Sequence, residues 1–308
     1  MKNSHLLYII QWFEYLCLML RQTCKWLIPA IFSLSGISHA QDLAINLTGG
    51  VLNYQGDLRQ EVYTFQGVRL GYGAGISYAV TSRLGIGVHF SQGRIAADDR
   101  NNSDPGLFYR NLNFTTNVSE ISLNATIHLL DPLRMRISPY VTGGLAYFRF
   151  NPFSHDQSGE KVFLQPLGTE GQGLPGYPLK PYQLNQFCIP FGGGLSIRMN
   201  DKVSLAWEVV FRRTGTDHLD DVSTVYANQV DLLIGRGPRS VAMAFRGDEL
   251  PGTNPVFPNG YPDGGKRGNP TANDWYYFSG LKLTFRLPSA DRMSFGPTGK
   301  NRTDCPRW

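Results

Sequence analysis

The stretch from Leu184 to Arg212 constrains the fold most strongly, because apolar and polar positions alternate in it twice in succession. A period of two is that of a β-strand, whereas a helix repeats every 3.6 residues. The two runs are separated by a short break at 200–202. Each run covers about ten residues or more, enough to cross a bilayer core at a tilt of about 45°. The apolar positions are Phe187, Ile189, Phe191, Leu195, Ile197 and Met199, then Val203, Leu205, Trp207, Val209 and Phe211. The pattern predicts a transmembrane β-hairpin, since soluble strands typically have only about 5 to 6 residues.

The rest of the chain contains six further alternating segments, which brings the predicted total to eight strands. They lie at 42–53, 67–79, 84–90, within 111–130, at 139–150 and at 275–287. Short connections follow the second, fourth and sixth strands, and long ones follow the first, third, fifth and seventh. This alternation is typical of membrane barrels, whose periplasmic turns are short and whose extracellular loops are long. The sequence therefore predicts an all-β fold, an eight-stranded antiparallel transmembrane β-barrel with long extracellular loops and short periplasmic turns.

The first 40 residues have the features of an export signal. A basic region precedes an apolar run at 26–37, and small residues then allow cleavage between Ala40 and Gln41. Residues 1–40 are therefore predicted to be a signal peptide, with Met19 as an alternative start. After residue 40 no run of about 18 apolar residues follows, so the prediction contains no membrane helix.

The predicted mature chain divides into a barrel at 41–287 and a periplasmic C-terminal tail at 288–308. Because the exported chain enters the membrane from the periplasm, an even strand number places both mature termini there. The barrel is expected in the bacterial outer membrane. The formal net charge of +5 is too small to indicate a nucleic-acid partner. Outer-membrane lipid is the expected surrounding, and no cofactor is predicted.

Inward-facing charges form the first candidate site, a charge network in the lumen. An eight-stranded barrel is only wide enough for side chains to fill it. We therefore interpret these charges as a salt-bridged plug, with a channel lining as the alternative. The candidate residues are Arg69, Glu208, Lys282 and Arg286.

The densest polar segment, "TDHLDDVS", forms the second candidate site. Its members Asp217, His218, Asp220 and Asp221 stand close to Ser223, which raises the alternatives of a hydrolase or an oxygen-rich calcium site. A catalytic triad draws its members from separate elements, whereas these residues are crowded into one segment. We interpret them as a hydrogen-bonded cap at the outer end of the seventh strand, with no catalytic or metal site. The long loop at 235–273 is either disordered or folded over the barrel mouth.

Several blocks of the sequence resemble a family of small outer-membrane β-barrels. They are "LNYQGDL" (52–58), "SPYVTGGLAYFRFNP" (138–152), "LQPLGTEGQGL" (164–174), "IPFGGGLSIRM" (189–199), "RRTGTDHLDDVS" (212–223) and the ending "CPRW". The family includes the PorG-type component of the type IX protein secretion and gliding machinery. The resemblance implies an outer-membrane anchor without catalytic chemistry that contacts periplasmic secretion-complex proteins, including lipoproteins.

Three functions remain open from the sequence. The first is the secretion anchor, and the second is a surface-adhesion or envelope-stabilising barrel that binds through its long loops. The third, a small barrel enzyme or a narrow pore, is disfavoured because no dispersed catalytic set is present. We therefore expect a protein that is not an enzyme.

Overall fold

A closed antiparallel barrel is the body of the molecule. The computed structural model describes residues 43–59 and 67–287. Within them eight strands pair in sequence order, and the first strand pairs with the last to close the ring. The strands are β1 (Leu43–Gln55), β2 (Arg69–Ala79), β3 (Leu84–Asp98), β4 (Asn113–His128), β5 (Ile137–Arg149), β6 (Pro152–His155), β7 (Lys161–Phe163), β8 (Asn185–Arg198), β9 (Val203–Thr214) and β10 (Trp275–Arg286). The short pair β6 and β7 lies in a loop, and the predicted eight-stranded barrel is confirmed.

The connections differ at the two ends of the barrel. At the turn end, tight turns join β2 to β3, β4 to β5 and β8 to β9. At the loop end, the long connections contain the helices α1 (Pro105–Arg110), α2 (Gln229–Arg236) and α3 (Pro238–Ala244), with 3-10 turns at Asp99–Asn101, Gln165–Leu167 and Gly247–Glu249. None of the helices in the described residues is long and apolar enough to cross a membrane.

An apolar belt surrounds the outside of the barrel. Its side chains are large and exposed, for example Leu70 at 79%, Leu123 at 58% and Trp207 at 56%. Contiguous apolar surface of this extent is not stable in water and marks contact with another apolar phase. Nearer the loop end the outward residues become polar, as at Gln92 and Arg149. The belt is therefore the lipid-facing surface expected of a transmembrane barrel.

A wall of glycine faces the lumen on β2, as the alternation predicted. The sequence suggested that these glycines give room to side chains from opposite strands. The structure shows instead that the adjacent strands fill the space. Gly75 is paired with His89 on β3, and a Cβ added at Gly75 would lie 2.3 Å from the His89 ring. The imidazole occupies the place of the missing side chain.

The strands of the hairpin present opposite faces to lipid and lumen, which allows a direct test. Arg in place of Leu205 or Val209, on the belt, is expected to cost about 2 to 4 kcal/mol if the site lies near the bilayer midplane. Arg in place of Ala206, which is buried in the lumen, acts instead through packing. Urea unfolding in lipid vesicles measures both. Equal stability of the Leu205 and Val209 variants and the wild type would contradict the assigned faces.

Some predictions fall outside the described residues. They are the signal peptide at 1–40, cleavage between Ala40 and Gln41, and the tail at 288–308. Among the described strands, β3 is longer than its alternation suggested, because it continues to Asp98 in register with Asn113 of β4. Alternation stops above the belt, where residues such as Ile95 and Ala96 are buried on both faces by the loops.

Candidate functional site

The long loops fold into one structure over the loop end, which we call the cap (56–59, 99–112, 150–184 and 215–274). Its side chains continue the barrel's apolar core outward. Leu219, Val222 and Met243 from the cap pack with Phe148 and Tyr276 from the barrel. Of the two alternatives for the loop at 235–273, the structure shows the folded one.

The predicted segment from Asp217 to Asp221 lies at the base of the cap. Asp220 and Asp221 are fully buried, and Asp217 is nearly so. Asp221 adopts a left-handed backbone conformation with φ of 68°, which aspartate tolerates better than most residues. The His218 ring stacks on Tyr182 with centroids 4.6 Å apart. The segment thus lies where the barrel core meets the loops.

Tyr54 of β1 joins two carboxyl groups through one hydroxyl. Its oxygen lies 2.5 Å from Asp220 Oδ2 and 3.0 Å from Asp274 Oδ1. A hydroxyl has only one hydrogen to donate, so two ionised carboxylates cannot both accept from it. One of the two carboxyls must therefore carry a proton and donate it to the Tyr54 oxygen. Burial agrees with this, because it raises the pKa of both carboxyls well above the usual range. Neighbouring carboxylates raise both pKa values further, Asp57 that of Asp220, and Asp220 and Asp217 that of Asp274.

Asp221 belongs to a second cluster, built around Arg267. Arg267 Nη1 donates to Glu170 Oε1 at 2.9 Å, and Arg267 Nη2 lies 3.6 Å from Asp221 Oδ2. The Tyr182 hydroxyl donates to Asp221 Oδ1 at 2.7 Å, and Thr169 donates to Oδ2 at 2.6 Å. The three charged side chains are at most 1% exposed. A buried arginine therefore ties together two different loops.

A further buried ion pair lies within the β3–β4 loop, and its arginine also hydrogen-bonds to other loops of the cap. Arg110 donates to Asp99 from Nε at 2.7 Å and from Nη2 at 2.8 Å, a bidentate contact. Its other donors reach the backbone oxygens of Arg267 and Asp57. Bidentate arginine–carboxylate contacts are among the strongest and most directional hydrogen bonds in proteins. The cap is thus held by an ionic framework from several loops.

Asp217 is the exception in this framework, because neither of its carboxyl oxygens has a well-formed hydrogen bond. Burial raises its pKa to about 7, and the nearby carboxylates of Asp57 and Glu170 also raise it, while the Ser223 hydroxyl lowers it. Burial also raises the pKa of Asp221, to about 6, against the opposing effect of Arg267.

Cap stability is therefore expected to fall as the pH rises. An unfolded aspartate releases its proton near pH 4, whereas folded Asp217 holds it to about 7. Between these values the folded state binds more protons, so the stabilising contribution is complete below about pH 4 and is lost by about pH 7. Limited proteolysis of the cap at pH 5 and pH 8 measures the effect, and Asp217→Asn is expected to stabilise the cap at pH 8. Equal pH dependence of wild type and Asp217→Asn would contradict the assignment.

In the lumen the structure brings together two of the four predicted network residues. Lys282 Nζ lies 3.5 Å from Glu208 Oε2, which also accepts from the Tyr140 hydroxyl at 2.6 Å. Arg286 lies at the turn end, beside the hairpin turn, where its backbone N–H donates to the Lys202 oxygen.

The placement of Arg69 in this network is corrected by the structure. Arg69 is exposed at the loop end of β2, level with Leu52 and therefore with Phe278. Lys282 lies four residues farther along β10, about 13 Å away at about 3.3 Å per residue. The alternation placed Arg69 on the correct, inward-facing side of β2. It does not determine how far along the barrel axis the residue lies.

The sequence missed a second lumen cluster, nearer the loop end. Arg212 donates to Glu120 from Nε at 3.1 Å and from Nη2 at 3.3 Å, and the Tyr276 hydroxyl donates to Glu120 Oε2 at 2.6 Å. All three side chains come from different strands, so no spacing in the sequence links them. The sequence did show that these three residues occupy inward-facing positions of their strands.

The remaining missed residues lie in the cap. Glu170 and Arg267 are 97 positions apart, so local spacing does not reveal their contact. Three of the resembling blocks, however, contain Tyr54, Glu170 and Asp221. The structure places Tyr54 in the cluster of Asp220 and the other two in the cluster of Arg267.

The contacts of these groups join the loops to one another and to the barrel. Among the described residues no hydrogen bond joins the His218 ring to Ser223 or to an aspartate, as a hydrolytic triad requires. In the same part of the chain, no three His, Cys, Asp or Glu side chains are arranged to hold a metal ion. Cys188 is buried as a free thiol.

Comparison with known proteins finds one family model and several solved structures. A family described as "Domain of unknown function (DUF6089)" matches residues 25–162, less than half of the chain. No curated protein matches.

Solved structures that the chain is similar to include three outer-membrane or surface proteins. Neisserial surface protein A is 8% identical, with a TM-score of 0.40 over 80% of this chain and 97% of that one. Ail of Yersinia pestis, in complex with the heparin analogue sucrose octasulfate, is 8% identical, with a TM-score of 0.38 over 81% and 100%. A major outer membrane protein of Thermus thermophilus is 13% identical, with a TM-score of 0.38 over 81% and 100%.

Likenesses at these scores carry no argument about function. The fold follows from the molecule itself, from the closed ring of strand pairs, the apolar belt and the long loops gathered at one end. The chain has the fold of a small outer-membrane β-barrel.

Proposed function

We propose that the protein is a non-catalytic, non-conducting outer-membrane anchor in a protein secretion assembly of the type IX kind. In this proposal the turn end and both mature termini face the periplasm, and the cap faces the cell exterior. Binding of periplasmic secretion proteins, including lipoproteins, occurs at the turn end and through the tail at 288–308. The sequence blocks that resemble the PorG-type family support this choice among barrel functions.

The filled interior is the observation that carries the non-conducting part of the proposal. Two charged clusters cross the lumen at different heights, one at Glu208 and Lys282 and one at Glu120 and Arg212. The cap then covers the loop end, and its apolar side chains continue the barrel core outward. A barrel closed in this way can bind partners on its surface but contains no open channel for ions. In a planar bilayer the wild type is expected to pass no steady current, and large stable conductance would favour the pore.

Deletion of 293–308 tests the anchor. The tail contains Arg292, Lys300, Arg302 and Arg307 beside aromatic residues, which suits charge-steered binding to a partner, and the deletion removes all of these except Arg292. The truncated barrel is expected to insert normally, lose its periplasmic partners on co-purification from native membranes, and export less cargo. Normal export and intact partner recovery by the truncated protein would contradict the anchor.

The surface-adhesion function is the second candidate, supported by one feature of the cap. Helix α2 exposes Val230 at 59%, Leu233 at 47% and Ile234 at 80%, an apolar strip on the loop between β9 and β10. Exposed apolar strips of this kind often mark interaction sites. The double variant Val230→Ser with Ile234→Ser leaves the buried Leu232 in place. If it abolishes a surface-binding activity while export is normal in the tail deletion, adhesion replaces the anchor.

A further inference from the structure

A cavity in the turn end of the lumen is lined by positive charge. It has a volume of about 140 Å³ and lies between the barrel wall and the short turns. Its lining contains Arg83, Lys282 and Arg286 together with two histidines, His89 and His128, and no carboxylate of the described residues lines it. The charged side chains that line the cavity are therefore all basic, although the chain as a whole contains both basic and acidic residues.

The size of the cavity limits what can enter it. Sites for drug-sized molecules have volumes of about 300 to 1,000 Å³, whereas a single water needs about 10 to 15 Å³. The cavity of about 140 Å³ therefore suits one small oxyanion with a few waters. Hydroxyl groups of Ser77, Ser204 and Thr284 also line the cavity and add donors that are uncharged.

Lys282 retains donors that face this space. An ammonium has three N–H donors, and its one charged contact is the 3.5 Å approach to Glu208. Glu208 Oε2 is itself engaged by the shorter bond from Tyr140. Among the described residues Lys282 Nζ makes no hydrogen bond of standard length, so its charge is incompletely matched.

His89 supplies an independent indication of a ligand. Its ring lies largely buried between this cavity and a smaller one of about 60 Å³ nearer the loop end. Neither ring nitrogen has a hydrogen-bond partner. Buried polar groups are rarely left unpaired, because each costs free energy comparable to a lost hydrogen bond. Something in the cavities, water or a ligand, is needed to satisfy this ring.

We propose that the turn end of the lumen is a binding site for a small oxyanion of the phosphate class. Lys282 and Arg83 supply the charge, the serine and threonine hydroxyls complete the hydrogen bonds, and His89 bonds the ion or its waters. Asp131, on the β4–β5 turn, accepts from the backbone N–H of Leu133 and does not line the cavity. The Leu133 N–H, and after it the Ser82 hydroxyl and the charges of Arg134 and Arg83, lower the pKa of the Asp131 carboxyl, so this carboxylate faces Arg83 from outside the cavity. Binding to the purified barrel does not depend on the proposed secretion role.

The test is a titration of the purified barrel with inorganic phosphate. Binding is measured by isothermal titration calorimetry in a maltoside detergent, which contains no phosphate. Saturable binding is expected for the wild type. Arg83→Gln is expected to weaken it about tenfold, the effect of one charged hydrogen bond of about 1.4 kcal/mol. The matched control is Arg134→Gln, which removes the same charge from the neighbouring turn, where the side chain is 87% exposed and outside the cavity. Its affinity is expected to equal that of the wild type.

A second variant addresses Lys282 without leaving a buried charge. Lys282→Met combined with Glu208→Gln removes both members of the pair and is expected to abolish binding while the barrel still shows heat-modifiable gel mobility. Absence of saturable phosphate binding by the wild type would overturn the proposal. Equal weakening by Arg83→Gln and Arg134→Gln would also overturn it, because that result indicates general surface charge. Binding of a soluble short-chain phosphatidate without binding of phosphate would assign the site to a lipid headgroup instead.

Discussion

Replacing Arg267 with Met is expected to open the cap while the barrel stays folded. The substitution keeps much of the volume but leaves Glu170 and Asp221 buried without their cation. Breaking a buried ion pair by removing one partner typically costs about 3 to 5 kcal/mol. Hydrogen exchange of the amides at 217–226 measures the free energy of cap opening, and heat-modifiable gel mobility reports the barrel.

A matched control lies in the same cap. Arg239 pairs with Glu160 at 2.7 Å, but both side chains are at least half exposed. Exposed ion pairs contribute about 0 to 1 kcal/mol, so Arg239→Met is expected to change exchange little. Adding Glu170→Gln to Arg267→Met is expected to recover part of the loss, because the stranded charge is removed. Equal exchange in the Arg267 and Arg239 variants would show that the buried framework does not hold the cap.

Replacing Arg212 with Met is expected to destabilise the barrel itself. Glu120 is 3% exposed and would lose its cation, leaving only the Tyr276 hydroxyl as a strong donor. The expected loss is again about 3 to 5 kcal/mol in the free energy of unfolding. Urea titration in lipid vesicles, followed by gel mobility, gives the value.

The neighbouring Arg213 is the control for this substitution. It points outward on the same strand, with its guanidinium carbon 5.9 Å from the centre of the Trp275 ring. A cation–π contact at an exposed site is worth about 0.5 to 1 kcal/mol. Arg213→Met is therefore expected to lower stability much less than Arg212→Met. A similar loss in both variants would mean that strand position, rather than the buried pair, determines the cost.

The barrel was predictable because its determinants are local. The hairpin from Leu184 to Arg212 shows its period, its turn and its lipid face within one stretch, and the structure follows it closely. The inward-facing positions of Glu208 and Lys282 could be predicted for the same reason. Arg69 shows the limit, since parity assigns a face whereas the height of a residue depends on the register with its neighbours.

The interior of the cap was not predictable in the same way. Its contacts join loops that are far apart in the chain, as with the hydrogen bond from Arg110 to the Asp57 backbone oxygen or the ion pair of Arg267 with Glu170. Contacts of this kind arise only when the strands have already placed the loop ends side by side. The segment from Asp217 to Asp221 was identified as a cap by its polarity, but its partners Tyr54, Tyr182 and Arg267 have no local signal.

The imidazole of His89 has a consequence for permeability. It fills the space opposite Gly75 and lies between the cavities of about 60 and 140 Å³. Truncation to alanine would remove the wall between them and join them into one water-filled space. The interior would then be continuous from the short turns to the level of Glu120, which lines the smaller cavity. The Glu120 and Arg212 cluster and the cap would then be the remaining barriers to ions, so a single side chain determines how far water enters the lumen from the short turns.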